Sequence, residues 1–468
     1  MRIEEDFIGK VKVPDDAYYG SFTARAGETF RLSGVKVDME LIRAVALIKK
    51  CAALSNCELG KLDKKSADAI VKAAEEVMAG RLDREFILDA FQAGAGTPLH
   101  MNVNEVIANR AEELLGGKKG EYKLIHPNNQ VNMSQSSNDV TPTAIRLAAL
   151  RLSTSLIEEA KKFQKALERK AGECKKIMKM GRTHLQDAVP MTYGQAFAAY
   201  ARAVEKDVEA IESARSGLRE LGIGGTATGS GITAHPRFRE LIVKKLDGKT
   251  KFGLEAAKDP IEMTQDMNDF VTFASALKRH AITLNRIAND LRLLASGPKG
   301  GIGEVILPEV EPGSSIMPGK INPSVPEAVN MVCWQVMANE QAITLAASSG
   351  QLELNFGTPL IAHNLLQSER LLTNCCSMFA ICVDGTKIDL KRTGENFERS
   401  FGYATALNPY LGYTEVALLV REALAKNVTL KQLILQRGIM SETDLEKVIA
   451  SATGPSEVDE EIRKRIRR

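Results

Sequence analysis

Apolar residues recur at helical spacing along much of the chain, in stretches that contain few helix-breaking residues. From Pro142 to Met180 the only helix-weakening residue is Gly172, and the apolar positions repeat with a helical period. This pattern predicts one long helix. Similar patterns predict further long helices at about 191–221, 261–296, 327–349 and 360–383, of which the stretch 261–296 contains neither Gly nor Pro.

Helices of this length have to bury their apolar stripes against long partners, because helices in globular proteins average only about 10 to 14 residues. A multi-helix bundle meets this requirement. The alanines of the stretch Ala196–Ala201 would permit close packing on more than one side. The expected fold class is therefore mainly all-α, with a long central helical bundle whose helices pack across the subunits of an oligomer.

The 468 residues divide into three parts by pattern, which we interpret as domains. Residues 1–138 mix short helical patterns with loops rich in Gly, Pro and Asn, and predict an α-rich N-terminal domain. Residues 139–390 hold the long helices of the central domain. Residues 391–468 return to shorter patterns, with turns near Asn408-Pro409 and Gly438, and predict a small helical C-terminal domain.

Charge and composition exclude several classes of protein. A net charge of +3 from 62 basic and 59 acidic residues gives no concentrated field for nucleic acid or an anionic membrane. The basic run Arg463–Arg468 is short and follows acidic residues, so we interpret it as a solvated helix end or tail. No apolar run is long enough to span a bilayer, and the charged N-terminus does not resemble a signal peptide.

Cysteine usage fits a reducing compartment. The chain has seven cysteines, and none of them stands in the paired spacing of a zinc site. Reduced thiols and the absence of a targeting segment predict a cytoplasmic protein with no metal and no cofactor.

The strongest candidate for chemistry is the loop between the third and fourth long helices, residues 297–323, which we call the lid loop. Its glycines would let it fold over a ligand and open again. Ser314 and Ser315 are adjacent hydroxyls, while Lys320 and Asn322 add a cation and an amide suited to a carboxylate. By composition alone, an ordinary surface loop with Ser, Lys and Asn is the favoured interpretation.

Three other polar clusters carry possible ligands. Gly94–Thr97 precedes a helical run, and Ser134–Asp139 precedes the first long helix, where backbone N–H groups favour an anion such as a carboxylate. Arg182–Asp187 lies in a polar turn and contains His184, which could titrate near neutral pH. Taken singly, each cluster also fits a helix cap or, for His184, a structural histidine bonded to Asp187.

The glycine-rich run Gly222–Gly231 is not interpreted as a dinucleotide site. Such a site needs a strand before the glycines and a βαβ unit around them, whereas Leu218–Leu221 is predicted to end a helix.

Together these segments resemble the aspartase and class II fumarase superfamily, whose members share the loop pattern GSSxMPxKxNP. Gly313–Pro323 matches this pattern at every position, and the likeness extends over nearly the whole chain. The resemblance implies a mostly helical three-domain subunit and a homotetramer. It also implies active sites for a small dicarboxylate that are each shared by three subunits.

The resemblance further implies a role for each candidate residue. Ser314 would be the general base that removes a Cβ proton, and Ser315 would close onto the substrate. His184 would lie near the leaving group, in the family's pair with Glu327. The remaining candidates are carboxylate ligands, namely Lys320, Asn322 and Thr183 on one side and Thr97, Ser136 and Ser137 on the other, with Asn138 near the leaving group.

The leaving group is the open question at this point. Asp15–Gly20, Gln186–Thr192 and Leu435–Gly438 look like aspartases and predict elimination of ammonia from L-aspartate, whereas His126–Asn128 and Ser136-Ser137 look like fumarases, which release water from L-malate. After Thr97, Pro98-Leu99-His100 replaces small polar residues and Asn, and Thr233 stands where Asn is frequent. These departures leave a related lyase with another substrate as a further alternative.

A non-catalytic relative kept as a structural or binding protein is the alternative from a different class. The intact set of Ser314, Lys320, Asn322 and His184 argues against it, because a structural role would not require these side chains.

Overall fold

A computed structural model describes residues 1–466. Helices dominate it, and the strands are short. The helices are α1 (Ser21–Thr29), α2 (Met39–Glu58), α3 (Lys64–Met78), α4 (Thr97–Leu114), α5 (Ser137–Glu173), α6 (Tyr193–Arg215), α7 (Phe238–Thr250), α8 (Glu262–Gln265), α9 (Asn268–Leu294), α10 (Ser324–Ala347), α11 (Thr358–Gly385), α12 (Leu390–Arg399), α13 (Asn408–Leu411), α14 (Tyr413–Lys426), α15 (Leu430–Gln436), α16 (Glu442–Ser451) and α17 (Glu460–Arg465).

The strands form small two-stranded sheets. They are β1 (Arg2–Asp6), β2 (Gly9–Val13), β3 (Met178–Thr183), β4 (Gln186–Thr192), β5 (Glu220–Leu221), β6 (Glu255–Ala256), β7 (Val305–Ile306) and β8 (Lys387–Ile388). The pairs β1–β2, β3–β4 and β7–β8 are antiparallel, and the pair β5–β6 is parallel. The prediction of a mainly helical fold with long helices is therefore confirmed.

The first long helix is shorter than predicted. Helix α5 ends at Glu173, and Met178–Thr183 forms strand β3, which pairs with β4 so that Met178 lies opposite Thr192. In this extended backbone Met180 is 1% exposed, within an apolar cluster formed with the C-terminal helices. The strand could not be predicted from the helical period of the apolar residues, because strand β3 is stabilised by residues that are distant in the sequence.

The predicted helix 261–296 is interrupted. Helix α8 ends at Gln265 and α9 begins at Asn268, although no Gly or Pro stands between them. The carboxylate of Asp266 accepts a hydrogen bond from the backbone N–H of Asn268 at 2.6 Å. This local bond offers the backbone an alternative to continuing the helix, so Asp266 starts a new helix rather than extending the old one.

The Cα positions separate into two compact units. The first unit consists of Met1–Glu158, Asp207–Ile282 and Val332–Asn374, and the second consists of Glu159–Lys206, Thr283–Met331 and Cys375–Arg468. In the first unit, α2, α3 and α4 bury Ile48, Ile70 and Val103 completely. In the second unit, α14, α15 and α16 bury Leu419, Leu433 and Leu445 in one cluster. The division into domains 1–138, 139–390 and 391–468 stays a prediction.

The described part of the basic C-terminal run belongs to α17 and the residue after it. Arg465 donates to the Asp444 carboxylate at 2.7 Å, and Lys464 donates to Glu461 at 2.9 Å. These pairs fit a solvated helix end. Arg467 and Arg468 lie outside the described residues.

Candidate active site

The predicted site residues fall into the two compact units. The first unit contains Thr97, Ser136, Ser137 and Asn138, and the second contains Thr183, His184, Ser314, Ser315, Lys320, Asn322 and Glu327. In each unit the chain brings several of them onto neighbouring turns.

The start of α5 is organised by a buried carboxylate. Asp139 accepts a hydrogen bond from the backbone N–H of Ser136 through one oxygen, and from those of Gly224 and Thr226 through the other, each at 2.9 Å. Burial raises the pKa of Asp139 to about 6, although these backbone donors and the nearby Lys49 lower it. The carboxylate thus ties the glycine-rich loop to the turn that carries Ser136, Ser137 and Asn138.

The glycine-rich loop is part of this first cluster, a role that the sequence analysis did not assign to it. The Asn138 side-chain amide donates to the carbonyl of Ala227 at 2.7 Å. The prediction that Leu218–Leu221 ends a helix is wrong, since Glu220–Leu221 is strand β5 and pairs with β6 beyond α7. The glycines nevertheless lead into a loop that runs to Phe238 rather than directly into a helix.

Helix α4 begins beside helix α5. Thr97 is the first residue of α4, and the preceding Gly96 has φ +71°. A Cβ at Gly96 would lie 2.8 Å from Cγ2 of Thr141 on α5, so both the backbone angle and the close approach require glycine. One turn into α4, Nδ1 of His100 lies 2.8 Å from Oγ of Ser137. The N-termini of both helices therefore lie close together, and their dipoles suit a carboxylate.

Two residues of this cluster escaped the sequence analysis. His100 entered it only as a departure from the family pattern, and Lys49 on α2 was not singled out. Both side chains are buried, with exposures of 1% and 0%, and they contact each other. The unusual segment Pro98-Leu99-His100 was the available signal for His100. Lys49 gave no such signal, because it reaches His100 only through the packing of α2 on α4.

The tip of the lid loop is closed by its own hydrogen bonds. The backbone N–H of Gly313 donates to the carbonyl of Lys320 at 2.8 Å, and the Asn322 amide donates to the carbonyl of Gly313 at 2.8 Å. A Cβ at Gly313 would lie 2.5 Å from the Lys320 oxygen, so the closure needs glycine there. Oγ of Ser314 accepts from the backbone N–H groups of Ile316 and Met317 at 3.2 and 3.0 Å.

The tip presents its polar groups to solvent. Ser315 and Lys320 are exposed, and Ser314 and Asn322 are partly exposed. One N–H of the Asn322 amide is used within the loop in this conformation. The structure thus brings Ser314, Ser315, Lys320 and Asn322 together on one turn.

The base of the lid loop is anchored by Glu304, which is 1% exposed. Its carboxylate pairs with Arg182 at 2.5 Å, and accepts from the Tyr193 hydroxyl at 2.6 Å and the Asn396 amide at 2.9 Å. Burial raises the pKa of Glu304, but these three donors outweigh it and hold that pKa below its ordinary value. Since Arg182 precedes Thr183, the network links the lid loop to the β3–β4 hairpin.

Glu327 and His184 are not paired within the chain. Glu327 lies near the start of α10, 4.0 Å from a guanidinium nitrogen of Arg292. Among residues 1–466 no ion pair joins it to His184, which is exposed on the hairpin. The structural alternative for His184, a bond to Asp187, is likewise absent from the described hydrogen bonds.

Comparisons with known proteins place this arrangement in a family. The family model described as "Lyase" matches residues 9–338, and that described as "Fumarase C C-terminus" matches residues 404–452. The chain belongs to this lyase family. The prediction of a member of the aspartase and class II fumarase superfamily is thereby confirmed, as is the prediction of an enzyme of the lyase class.

Individual relatives match over nearly their full length. An aspartate ammonia-lyase from Bacillus sp is 45% identical over 450 residues, covering 96% of each chain. A class II fumarate hydratase from Bradyrhizobium diazoefficiens is also 45% identical over 450 residues, covering 96% of this chain and 95% of the relative. The crystal structure of a fumarate lyase:delta crystallin from Brucella melitensis has a TM-score of 0.93 at 44% identity and covers 97% of this chain and 100% of that one.

Within the described part of this lyase, no helix is long and apolar enough to cross a membrane. In the same residues, no group of three or more His, Cys, Asp and Glu side chains is arranged to hold a metal ion.

The hairpin of this lyase carries backbone strain at His184. Thr183 pairs with Gln186, so His184 and Leu185 form a two-residue turn, and their φ angles are +54° and +59°. Positive φ at both positions fits a type I′ turn, which favours Asn-Gly. A bulky residue there is disfavoured by about 1 to 2 kcal/mol, and Leu185 is 71% exposed, so burial does not compensate.

Relief of this strain is expected to stabilise the protein. Leu185→Gly should raise the free energy of unfolding by about 1 kcal/mol over Leu185→Ala, because both remove the exposed side chain but only glycine tolerates the positive φ. Urea unfolding of the two variants measures the difference. Equal midpoints for the glycine and alanine variants would show that the turn is not strained at this position.

Proposed function

We propose that this chain is an aspartate ammonia-lyase that converts L-aspartate reversibly into fumarate and ammonia by anti-elimination. A base removes a proton from Cβ. The electron pair of the broken Cβ–H bond is delocalised into the adjacent carboxylate, which becomes an aci-carboxylate. That pair then forms the Cα–Cβ double bond as the bond from Cα to nitrogen breaks. The base returns its proton to solvent to complete the cycle.

The observation that carries this proposal is the turn around Ser314. A serine hydroxyl is a weak base, so its alkoxide has to be stabilised before it can accept a proton from carbon. The two backbone N–H groups that donate to Oγ of Ser314 at 3.2 and 3.0 Å would supply this stabilisation. Lys320 on the same turn would add a positive charge, and exclusion of water on closure would strengthen both effects.

The dicarboxylate substrate needs donors at both of its ends. The paired N-termini of α4 and α5, with Thr97, Ser136 and Ser137, would hold one carboxylate. Lys320, Asn322 and Thr183 would hold the other carboxylate, and fixed donors lower the barrier most at the carboxylate that becomes the aci-carboxylate. Ser315 would close onto the substrate, and Asn138 and His184 would lie near the leaving group, with Glu327 orienting His184.

Ammonia is preferred to water as the leaving group on the evidence of two segments and one relative. Asp15–Gly20 and Leu435–Gly438 resemble aspartases, and the relative from Bacillus sp is an aspartate ammonia-lyase. A class II fumarate hydratase is the second candidate function, because the relative from Bradyrhizobium diazoefficiens is equally similar. A related lyase with an altered substrate is the third, since Pro98–His100 and Thr233 depart from the family pattern.

The proposed active unit is a homotetramer in which three subunits contribute to each site. Three observations support assembly. The exposed apolar side chains of the long helices include Met331 and Trp334 on α10 and Ile381 on α11, which are 60%, 56% and 73% exposed. The lid tip presents its polar groups to solvent, and Glu327 has no bond to His184 in its own chain. We also propose a cytoplasmic location and the three-domain subunit with boundaries at 138/139 and 390/391.

The first test offers L-aspartate and L-malate separately and follows fumarate by its ultraviolet absorbance. We expect rapid turnover of aspartate and little or none of malate. Turnover of malate alone would replace the proposal by the fumarate hydratase. Turnover of neither would favour the lyase with another substrate.

The second test concerns the base. Ser314→Ala should lower kcat by at least about 10³-fold while leaving folding and assembly intact, because the variant keeps the backbone but has no proton acceptor. Ser315→Ala is the matched control, and should lower kcat less, since its hydroxyl only contacts the substrate. A Ser314→Ala variant with near-normal kcat would refute the assignment of the base.

The third test concerns the shared sites. A Ser314→Ala variant and a His184→Ala variant, each inactive alone, are mixed, unfolded and refolded together. If different subunits contribute the two residues, some hybrid tetramers contain intact sites, and activity should return to about a quarter of the wild-type value. Mixed tetramers verified by native mass spectrometry but without activity would contradict sharing.

A further inference from the structure

A buried polar chain runs from α2 through α4 to Ser137. Nζ of Lys49 contacts Nε2 of His100, and Nδ1 of His100 lies 2.8 Å from Oγ of Ser137. Lys49 and His100 are 0% and 1% exposed. Neither residue has a place in the elimination described above, so their burial next to a proposed carboxylate ligand needs another explanation.

The surroundings of Lys49 determine which way the hydrogens point. Besides His100, Nζ donates to Oδ1 of Asn132 at 3.1 Å and to Oε1 of Gln135 at 2.9 Å. The amide nitrogens of Asn132 and Gln135 donate to backbone carbonyls, so their oxygens are the atoms that face Lys49. These two bonds use two hydrogens of an ammonium group, and the third would point to Nε2 of His100, the remaining neighbour of Nζ.

The charges on this pair follow from burial and from one neighbouring carboxylate. Burial holds the pKa of Lys49 well below its ordinary value, and the buried Asp139 on α5 offsets only part of this lowering. Burial and the positive charge of Lys49 lower the pKa of His100, which keeps the imidazole neutral. A neutral imidazole has one donor and one acceptor nitrogen, and with the ammonium group of Lys49 donating to Nε2, the hydrogen would be on Nδ1.

We propose that His100 is a positioning residue that fixes the hydroxyl of Ser137 as a hydrogen-bond donor toward a substrate carboxylate. The Nδ1–H group of His100 donates to Oγ of Ser137, which occupies one lone pair of the serine. The hydroxyl hydrogen is then free to point away from His100, toward the space where the N-termini of α4 and α5 meet. This inference rests on the proposed function, in which Ser137 contacts the substrate.

The orientation of Ser137 also assigns one end of the substrate. A hydroxyl whose hydrogen points into this space stabilises a group that accepts hydrogen bonds, such as a carboxylate, more than an ammonium group, which could use only the second lone pair of Oγ. The cluster of Thr97, Ser136 and Ser137 is therefore better suited to a carboxylate end of the substrate than to its amino group.

Two substitutions of His100 separate positioning from a purely structural role. In His100→Asn the amide nitrogen can occupy the place of Nδ1 and donate to Ser137, but the side chain is too short to reach Lys49. In His100→Gln the amide oxygen can occupy the place of Nε2 and accept from Lys49, but no donor faces Ser137. We expect KM to stay within about 3-fold of wild type in His100→Asn and to rise at least about 10-fold in His100→Gln, with a smaller change in kcat.

Thermal unfolding should show the opposite order. His100→Gln keeps the acceptor for the buried ammonium and should retain its unfolding temperature, whereas His100→Asn leaves Lys49 without this acceptor and should unfold earlier. If KM rises more in His100→Asn than in His100→Gln, the change in KM parallels the loss of stability and not the loss of the donor to Ser137. That result would overturn the proposal.

A double-mutant cycle with Ser137→Ala tests whether His100 acts through Ser137. In the alanine background His100→Gln should change KM less than about 2-fold, because there is no hydroxyl to orient. An undiminished effect would overturn the proposal. Calorimetry gives the Kd of succinate for the same variants without turnover. If the proposed reaction is wrong but the role of His100 is right, this Kd still shows the expected order, so the two errors are distinguished.

The direction of the hydrogen bond can be tested separately. A neutron structure of the deuterated enzyme with succinate is expected to show deuterium on Nδ1 of His100. Deuterium on Nε2 alone would make Ser137 the donor to His100, and would overturn the assigned orientation.

Discussion

The buried carboxylate of Asp139 is the contact on which the candidate carboxylate site depends. A carboxylate removed from water is costly unless donors replace its hydration, and here Ser136, Gly224 and Thr226 supply backbone N–H groups at 2.9 Å. The glycine-rich loop and the start of α5 therefore cannot move apart without exposing unpaired groups. The same negative charge offsets part of the lowering of the Lys49 pKa by burial, so the proposed orientation of His100 depends on Asp139 as well.

This arrangement also determines the sign of the local field. The N-termini of α4 and α5 each carry about half of a positive elementary charge. Lys49 adds a further cationic group on the far side of His100 from Ser137. The negative charge of Asp139 is balanced by its backbone donors and by its electrostatic interaction with Lys49. The space in front of Ser137 is therefore suited to an anion. A dicarboxylate that enters it meets donors already in place, which limits the reorganisation required on binding.

The helices could be predicted from the sequence because their signal is repeated many times along each one. A helix was predicted for residues 360–383, and α11 spans Thr358–Gly385. An apolar stripe of that length at helical spacing fits few structures other than a helix. The β3–β4 hairpin and the break at Asp266 could not be predicted in this way. The hairpin depends on pairing and on burial of Met180 among distant residues, and the break depends on one side-chain bond to Asn268 that competes with the helix.

The same distinction between local and distant contacts applies to the candidate site. Ser314, Ser315, Lys320 and Asn322 lie within one short loop, so sequence order alone places them together. Lys49 comes from a different helix than His100 and Ser137, and nothing in the local sequence of α2 indicates the contact. The residues proposed to contact the substrate could therefore be predicted from the sequence, whereas the residues proposed to hold them in position could not.

The two parts of the proposed chemistry differ in how their groups are held, and this difference suits an elimination. The helix ends proposed to bind a carboxylate are fixed by buried bonds, whereas the lid tip is closed by bonds within Gly313–Asn322. In the proposed mechanism this tip would move as one body relative to the start of the lid loop, which Glu304 anchors. The backbone donors to Ser314 belong to the same tip and would move with it. The general base Ser314 would therefore reach the substrate with its alkoxide already stabilised, and closure of the lid loop would only have to exclude water.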